Sequence, residues 1–188
     1  MNLTEQSDNY KKIADKLLSE FNLLSFLKKY GNPTLVGAYS GNVMLSGDID
    51  IHVLRPKSFT KIEILDIFND IFLATKFNSY YIGDWNGTNL HPEFPEGYYI
   101  GLKTFFSGEK WKIDIWFVSE DEQKQRDSDK TLLNIAHATL TPEQRLSILE
   151  FKKYRNEHQI KISGQKIYEL VLINKISQLE DFINHINL

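Results

Sequence analysis

Two aspartates two residues apart, in Gly47-Asp48-Ile49-Asp50-Ile51-His52-Val53-Leu54, are the strongest chemical signal in the chain. Aspartate is depleted in strands, yet here it alternates with β-branched residues, the pattern of a strand with one face in the core. Residues two apart on a strand share a face, so both carboxylates point the same way with Cα atoms roughly 7 Å apart, while Ile49 and Ile51 face inward. Like charges held together invite a cation. Magnesium, which binds through one or two carboxylates plus phosphate oxygens, suits the pair better than a lone structural ion. A third acid, Asp114, lies in Trp111-Lys112-Ile113-Asp114-Ile115-Trp116, again flanked by isoleucines. Should that strand lie beside the first, the three acids can hold two metal ions about 3.5–4 Å apart, the clamp for in-line phosphoryl or nucleotidyl displacement. The plainer reading is an exposed strand face of solvated acids, with Asp114 paired to Lys112 or Lys103. Lys112 shares the face of Asp114 and is alternatively a phosphate neutraliser.

Upstream, Gly37 ends a strand and is followed by small residues and a short turn or helix, which lets backbone N–H groups approach a phosphate closely. A tight turn is the simpler alternative. Taken together, Val36-Gly37-Ala38, nine intervening residues, Asp48-Ile49-Asp50-Ile51 and the later Ile113-Asp114-Ile115 resemble the pattern of the nucleotidyltransferase superfamily, which includes DNA polymerase β and the antibiotic nucleotidyltransferases. The resemblance covers about residues 30–120. It implies that Asp48 and Asp50 ligate two magnesium ions, with manganese as a substitute. It also implies that Asp114 binds the catalytic ion and acts as, or assists, the base, and that Gly37 and Ala38 meet the triphosphate. The family's second position is usually Gly or Ser. Ala38 removes that hydroxyl, for which backbone donors or Ser40 can substitute.

These residues need a sheet to hold them. A first helix is expected from a Thr4 cap to about Tyr30, since Tyr10, Ile13, Ala14, Leu17, Leu18 and Phe21 recur at helical spacing before Gly31-Asn32-Pro33. Strands are expected at Thr34 to Tyr39 and Asp48 to Leu54, a crossover helix at Phe59 to Thr75, and strands at Tyr80 to Trp85, Gly97 to Phe106 and Lys110 to Val118. The last two strands meet at Ser107-Gly108-Glu109 as a hairpin. Capping boxes at Thr141-Pro142-Glu143-Gln144 and at Ser177 to Glu180 open later helices. The expected architecture is therefore α/β (α+β), a mixed β-sheet with helices packed on one face and a helical C-terminal extension. One domain spans 1–188, with its core at about 30–120 and its extension at about 137–188.

Other residues carry weaker signals. His52 shares the face of the two acids, though a histidine hydrogen-bonded in the sheet is the simpler reading. The polar, aromatic stretch Asp84 to Pro95 reads as an ordered surface loop or as the wall of an acceptor or base pocket. Arg145, Lys152 and Tyr168 are conceivable triphosphate contacts and otherwise surface residues. Phe105, Phe106, Trp111 and Trp116 are expected in the core or a pocket wall.

Composition narrows the chemistry. With no cysteine, there is no thiol nucleophile, no disulfide and no thiolate-bound metal, which fits a reducing cytoplasmic setting. No run approaches a membrane span. Lys plus Arg number 22 against 25 Asp plus Glu, a net charge of −3 that gives no global reason to bind a nucleic-acid backbone. Only Lys152, Lys153, Arg155, Lys161 and Lys166 form a candidate basic patch, and a solvated helix face explains such a cluster as well. The expected activity is magnesium-dependent transfer of a nucleoside monophosphate from a nucleoside triphosphate to a hydroxyl of a small molecule or protein, with release of pyrophosphate. The competing readings are a catalytically silent nucleotide-binding or partner-binding module and, behind it, a metal-dependent phosphohydrolase.

Overall fold

The alternating run around Asp48 folds as β2 of the sheet, Gly47–Arg55, and its period of two sets the layering of the molecule. Ile49, Ile51 and Val53 are fully buried on one face, and Asp48, Asp50 and His52 turn to the other. The computed structural model describes residues 1–87, 94–129 and 140–186. Around β2 stand β1 (Asn32–Val36), β3 (Ser79–Asp84), β4 (Tyr98–Phe106) and β5 (Glu109–Ser119), in the order β1-β2-β5-β4-β3. β2 and β5 run parallel and the other pairs antiparallel, so the sheet is mixed, as expected. β5 comes last in the chain and lies in the middle of the sheet. The β4–β5 hairpin closes through Ser107 and Gly108, with φ of 51° and 84°, between the paired Phe106 and Glu109. Positive φ at both central residues matches the twist of a two-residue hairpin.

Helices α1 (Leu3–Glu20), α2 (Leu23–Leu27) and α4 (Lys61–Ala74) bury Leu17, Leu27 and Ile71 against the isoleucine face of the sheet. The single helix expected from Thr4 to Tyr30 is two helices. Asn2, not Thr4, caps the first, its side chain accepting from Glu5 N–H in a capping box. The chain breaks at Asn22, which adopts a left-handed φ of 48°, a conformation asparagine tolerates. The break lets Leu23 and Leu27 both reach the core. β1 stops at Val36 rather than Tyr39, because Gly37, at φ 63°, turns the backbone into the one-turn α3 (Gly37–Ser40). Thr60 caps α4 in a capping box with Glu63, and Arg55 holds the same glutamate at 2.7 Å.

After β5 come α5 (Glu120–Asp129), α6 (Pro142–Glu157), α7 (Gly164–Leu172) and α8 (Leu179–Ile186). Thr141 and Gln144 form the expected capping box, with Pro142 opening α6. The box expected at Ser177 does not open α8: Phe182 N–H bonds to the Gln178 carbonyl, and the Ser177 carbonyl accepts the Ser147 hydroxyl at 3.0 Å. The last three helices build a second apolar cluster around stacked Phe151 and Phe182, 4.4 Å apart. Arg145 ties this bundle to α1 by an ion pair with Asp8 at 2.7 Å and to the turn after α3 by a hydrogen bond to the Asn42 carbonyl at 2.8 Å. The architecture is thus the expected α+β sheet with a helical C-terminal part; positions 137–139 and 187–188 of the expected extension lie outside the described residues. Among the described residues no helix is long and apolar enough to cross a membrane.

Candidate metal centre

Parallel pairing of β2 with β5 sets Asp50 directly opposite Asp114 and Asp48 opposite Lys112. Because the register is even, all four side chains emerge on the face opposite the isoleucines. Asp48, Asp50 and Asp114 each offer a carboxylate oxygen within 4.8 Å of the others. This convergence is what the sequence alone left as an assumption about neighbouring strands.

Crowding raises the cost of ionising the group. Burial first, then the charges of Asp48 and Asp114, push the Asp50 carboxyl up to about 7. Burial likewise raises Asp48, with Lys112 pulling the other way and Asp114 adding to the rise. One oxygen of Asp48, Oδ1, is buried with no hydrogen-bond partner among the described residues. An unpaired buried carboxylate oxygen is costly unless a cation takes the missing donor's place. Three carboxylates that each offer a hard oxygen within 4.8 Å of the others, one of them with a buried oxygen lacking a hydrogen-bond partner, fit a divalent magnesium or manganese ion.

Asp114 is held from both sides. Tyr99 on β4 donates its phenolic hydroxyl to Oδ1 at 2.5 Å, and Lys112 Nζ lies 2.5 Å from Oδ2. Burial, then the bond to Asp114, push the Tyr99 phenol well above its usual range, so it stays a donor. For Lys112, burial works against the charge, but the Asp114 bond and the other two acids outweigh it and hold the ammonium above its ordinary value. Of the two partners considered for Asp114, the structure selects Lys112; Lys103 pairs with Lys112 in the ladder instead.

Gly37 packs its backbone against Asp50, where a Cβ would collide with Oδ2, and its φ of 63° independently favours glycine. Gly37 and Ala38 line a cavity of about 490 Å³ together with Asp48 and Asp50. Ser40 is not among the lining residues; its hydroxyl donates to the Leu35 carbonyl at 2.5 Å. Ser46 lines the cavity and offers a hydroxyl that Ala38 lacks.

The wall opposite comes from α6 and α7, where the surface reading of Lys152 fails. Its side chain is buried, with Nζ donating to the Val43 carbonyl at 2.7 Å, and it lines the cavity with Arg155 and Tyr168. Burial, then the nearby Arg155 charge, bring the ammonium down to about 8, against the pull of Asp48 and Asp50. Tyr168 is equally buried, with the Lys152 ammonium 5.9 Å from its ring centroid. Arg145, by contrast, is spent on Asp8 and Asn42 and does not line the cavity. One signal for Lys152 was present: it follows Ile148 by four residues, on the helix face that carries the buried side chains. Tyr99 left no such signal, since only the register of β4 on β5 brings it to Asp114.

At the far end of the cavity stand His52, Gln123, Trp116, Phe94 and Pro95. His52 Nδ1 lies 3.0 Å from Gln123 Oε1, as a sheet histidine with a partner would. Of the polar aromatic stretch Asp84 to Pro95, Phe94 and Pro95 form cavity wall and Trp85 packs on Trp116 at 5.8 Å; residues 88–93 lie outside the described residues. Trp111 and Phe106 belong to the core, whereas Phe105 is 63% exposed, against expectation, because its side chain falls on the outer face near the hairpin. No protein-family model matches the chain, and no curated protein matches it.

Proposed function

We propose that the chain is a magnesium-dependent nucleotidyltransferase that moves a nucleoside monophosphate from a nucleoside triphosphate to a hydroxyl of a small molecule or protein. The observation that carries this reading is the convergence of Asp48, Asp50 and Asp114, with one buried oxygen of Asp48 lacking a hydrogen-bond partner among the described residues. Asp48 and Asp50 would hold the metal, with Asp114 as the third ligand. Bound there, magnesium supplies charge neutralisation for the polyphosphate and for the departing pyrophosphate. Lys152 and Arg155 add positive charge along the opposite wall, where phosphate oxygens can accept from them. Gly37 and Ala38 leave room for a phosphate to approach the backbone. Asp114, oriented by Tyr99, accepts the proton of the attacking hydroxyl. Positioning and electrostatics account for the rate, since no covalent protein intermediate is needed.

A second reading, a silent nucleotide-binding module, draws support from Asp114 itself, both of whose oxygens already have partners in Tyr99 and Lys112. An assay with each α-labelled triphosphate, magnesium and a broad set of hydroxyl acceptors separates the two. Transfer reads as metal-dependent label on an acceptor with pyrophosphate release, absent in Asp48→Asn and Asp50→Asn. Saturable triphosphate binding with no pyrophosphate from any triphosphate sinks the enzymatic reading in favour of the silent one. Inorganic phosphate released without an acceptor points to hydrolysis.

A further inference from the structure

Arg145 and Lys152 stand seven residues apart on α6, two turns along one face, and they grip consecutive carbonyls. Arg145 Nε donates to the Asn42 carbonyl at 2.8 Å, and Lys152 Nζ to the Val43 carbonyl at 2.7 Å. Those two residues lead the chain from α3 into β2, so α6 is clasped to the link that runs from Gly37 to Asp48. Ser7 Oγ donates to the same Asn42 carbonyl at 2.7 Å, and Asn42 Nδ2 donates to Asp8 Oδ1 at 2.8 Å. Arg145 Nη2 donates to that carboxylate oxygen at 2.7 Å and to the Thr4 carbonyl at 3.2 Å. Yet Asn42 is costly in itself. Its φ of 51° is uncommon outside glycine, and its Oδ1 is buried with no hydrogen-bond partner among the described residues. A strained residue persists where its surroundings over-determine it, and such residues cluster at ligand clamps.

We infer, resting on the nucleotidyl-transfer reading above and deepening it, that Arg145 is a positioning residue for polyphosphate: without lining the cavity, it fixes the place of the Lys152 ammonium through Asn42 and Val43. An ammonium carries three N–H donors. One goes to the Val43 carbonyl, and where that carbonyl stands decides where the other two point. Lys152 lines the cavity together with Asp48 and Asp50, whereas Arg145 does not. A lysine side chain loses much rotamer freedom when a ligand orders it, so tethering it beforehand lowers the entropy lost on binding. Val43 is fully buried in the cluster of the C-terminal helices, so its carbonyl moves only if the turn moves. The turn, in turn, is held from α1 and α6 at once. A guanidinium suits that task, since its fixed fork reaches the Asn42 carbonyl, Asp8 and the Thr4 carbonyl together, where an ammonium offers a single point charge.

The test uses the full chain, with inorganic tripolyphosphate and magnesium followed by calorimetry, and manganese alone followed by electron paramagnetic resonance. Arg145→Gln should weaken tripolyphosphate about tenfold, the effect of losing one hydrogen bond to a charged group, with manganese affinity unchanged. Arg145→Lys, which still reaches one acceptor, should recover part of the loss. In a Lys152→Met background, itself weaker for tripolyphosphate, Arg145→Gln should add nothing, because its effect passes through the missing ammonium. Ser7→Ala removes one small hydroxyl from the same carbonyl; it should repeat the pattern more weakly and decides the matter if Arg145→Gln does not fold. A lower melting temperature with unchanged tripolyphosphate affinity, an equal loss of manganese, or a loss that adds in full to that of Lys152→Met makes Arg145 a structural residue and overturns the assignment. Wild-type binding of a nucleoside triphosphate but not of tripolyphosphate, or normal tripolyphosphate binding by Lys152→Met, overturns it too and leaves the nucleotidyl-transfer reading standing. If the wild-type chain binds neither tripolyphosphate nor any of the four nucleoside triphosphates with magnesium, that reading itself falls.

Discussion

On one face of β2 and β5, Ile49, Ile51, Ile113 and Ile115 are all fully buried against the α1, α2 and α4 side; on the other, Asp48, Asp50 and Asp114 crowd within 4.8 Å. Both sets hang from the same backbone, one residue out of step. Each buried isoleucine contributes about 1.5–3 kcal/mol by leaving water. The acids do the reverse, since bringing like charges together in a poorly solvated site raises the energy of the folded state. The difference shows how a site hostile to its own fold is tolerated: the apolar face supplies the stability, and the ladder of hydrogen bonds common to both faces holds the acids where repulsion would drive them apart.

Replacing an acid should separate the two faces most sharply. Asp50→Asn is expected to lower nucleotidyl transfer on the order of 10³-fold or more, comparable to removing a principal electrostatic stabiliser, while raising the melting temperature of the metal-free protein. A variant that loses both activity and stability would show that Asp50 is a structural hydrogen-bonding residue. The converse change, Ile51→Ala, should cost about 2–5 kcal/mol in denaturant unfolding through the cavity it leaves, with metal affinity retained at temperatures where the variant is folded.

The pH dependence tests the strain on the acid face directly. Asp50 loses its proton near 3.8 in an unfolded chain but only at about 7 in the folded one. The folded state therefore binds the extra proton between those values, and stability of the metal-free protein should fall as pH rises from about 4 to about 7, then level off. Asp50→Asn should flatten that slope, and so should saturating magnesium, which keeps the Asp50 carboxylate ionised in the folded state; thermal melts across this range decide the matter. Tyr99→Phe removes the hydroxyl that orients Asp114 and should weaken manganese binding about tenfold, the low end for an outer partner of a metal ligand, readable by electron paramagnetic resonance without any substrate. Smallest is Thr60→Ala, which deletes the cap of α4 and should cost about 1 kcal/mol with no effect on metal affinity.

Much of this contrast was legible in the chain. A period of two survives without tertiary context, so the alternation of Asp48 to Leu54 gave both the strand and its faces, and Thr141-Pro142 announced the start of α6 through local hydrogen bonding alone. What the sequence hid depends on partners distant in the chain. Asn22 breaks the first helix because Leu23 and Leu27 are needed in the core, a demand local propensity does not express. Lys152 reads as a solvated side chain until Val43 and Tyr168 close over it. Tyr99 meets Asp114 only through the pairing of β4 with β5, and Ser40, plausible by spacing, is turned inward by the one-turn helix it belongs to.

The central position of β5 has a consequence for how the molecule comes into being. A ribosome delivers β1 to β4 first, yet none of them can close the sheet, because the strand that joins its two halves is synthesised after all of them. Until Ser119 emerges, the edges of β2 and β4 that β5 will occupy stay open to wrong partners. The carboxylate cluster is thus completed only when β5 enters between β2 and β4, and the wall bearing Lys152 follows later still, so the acids stand together before the side of the cavity that faces them exists.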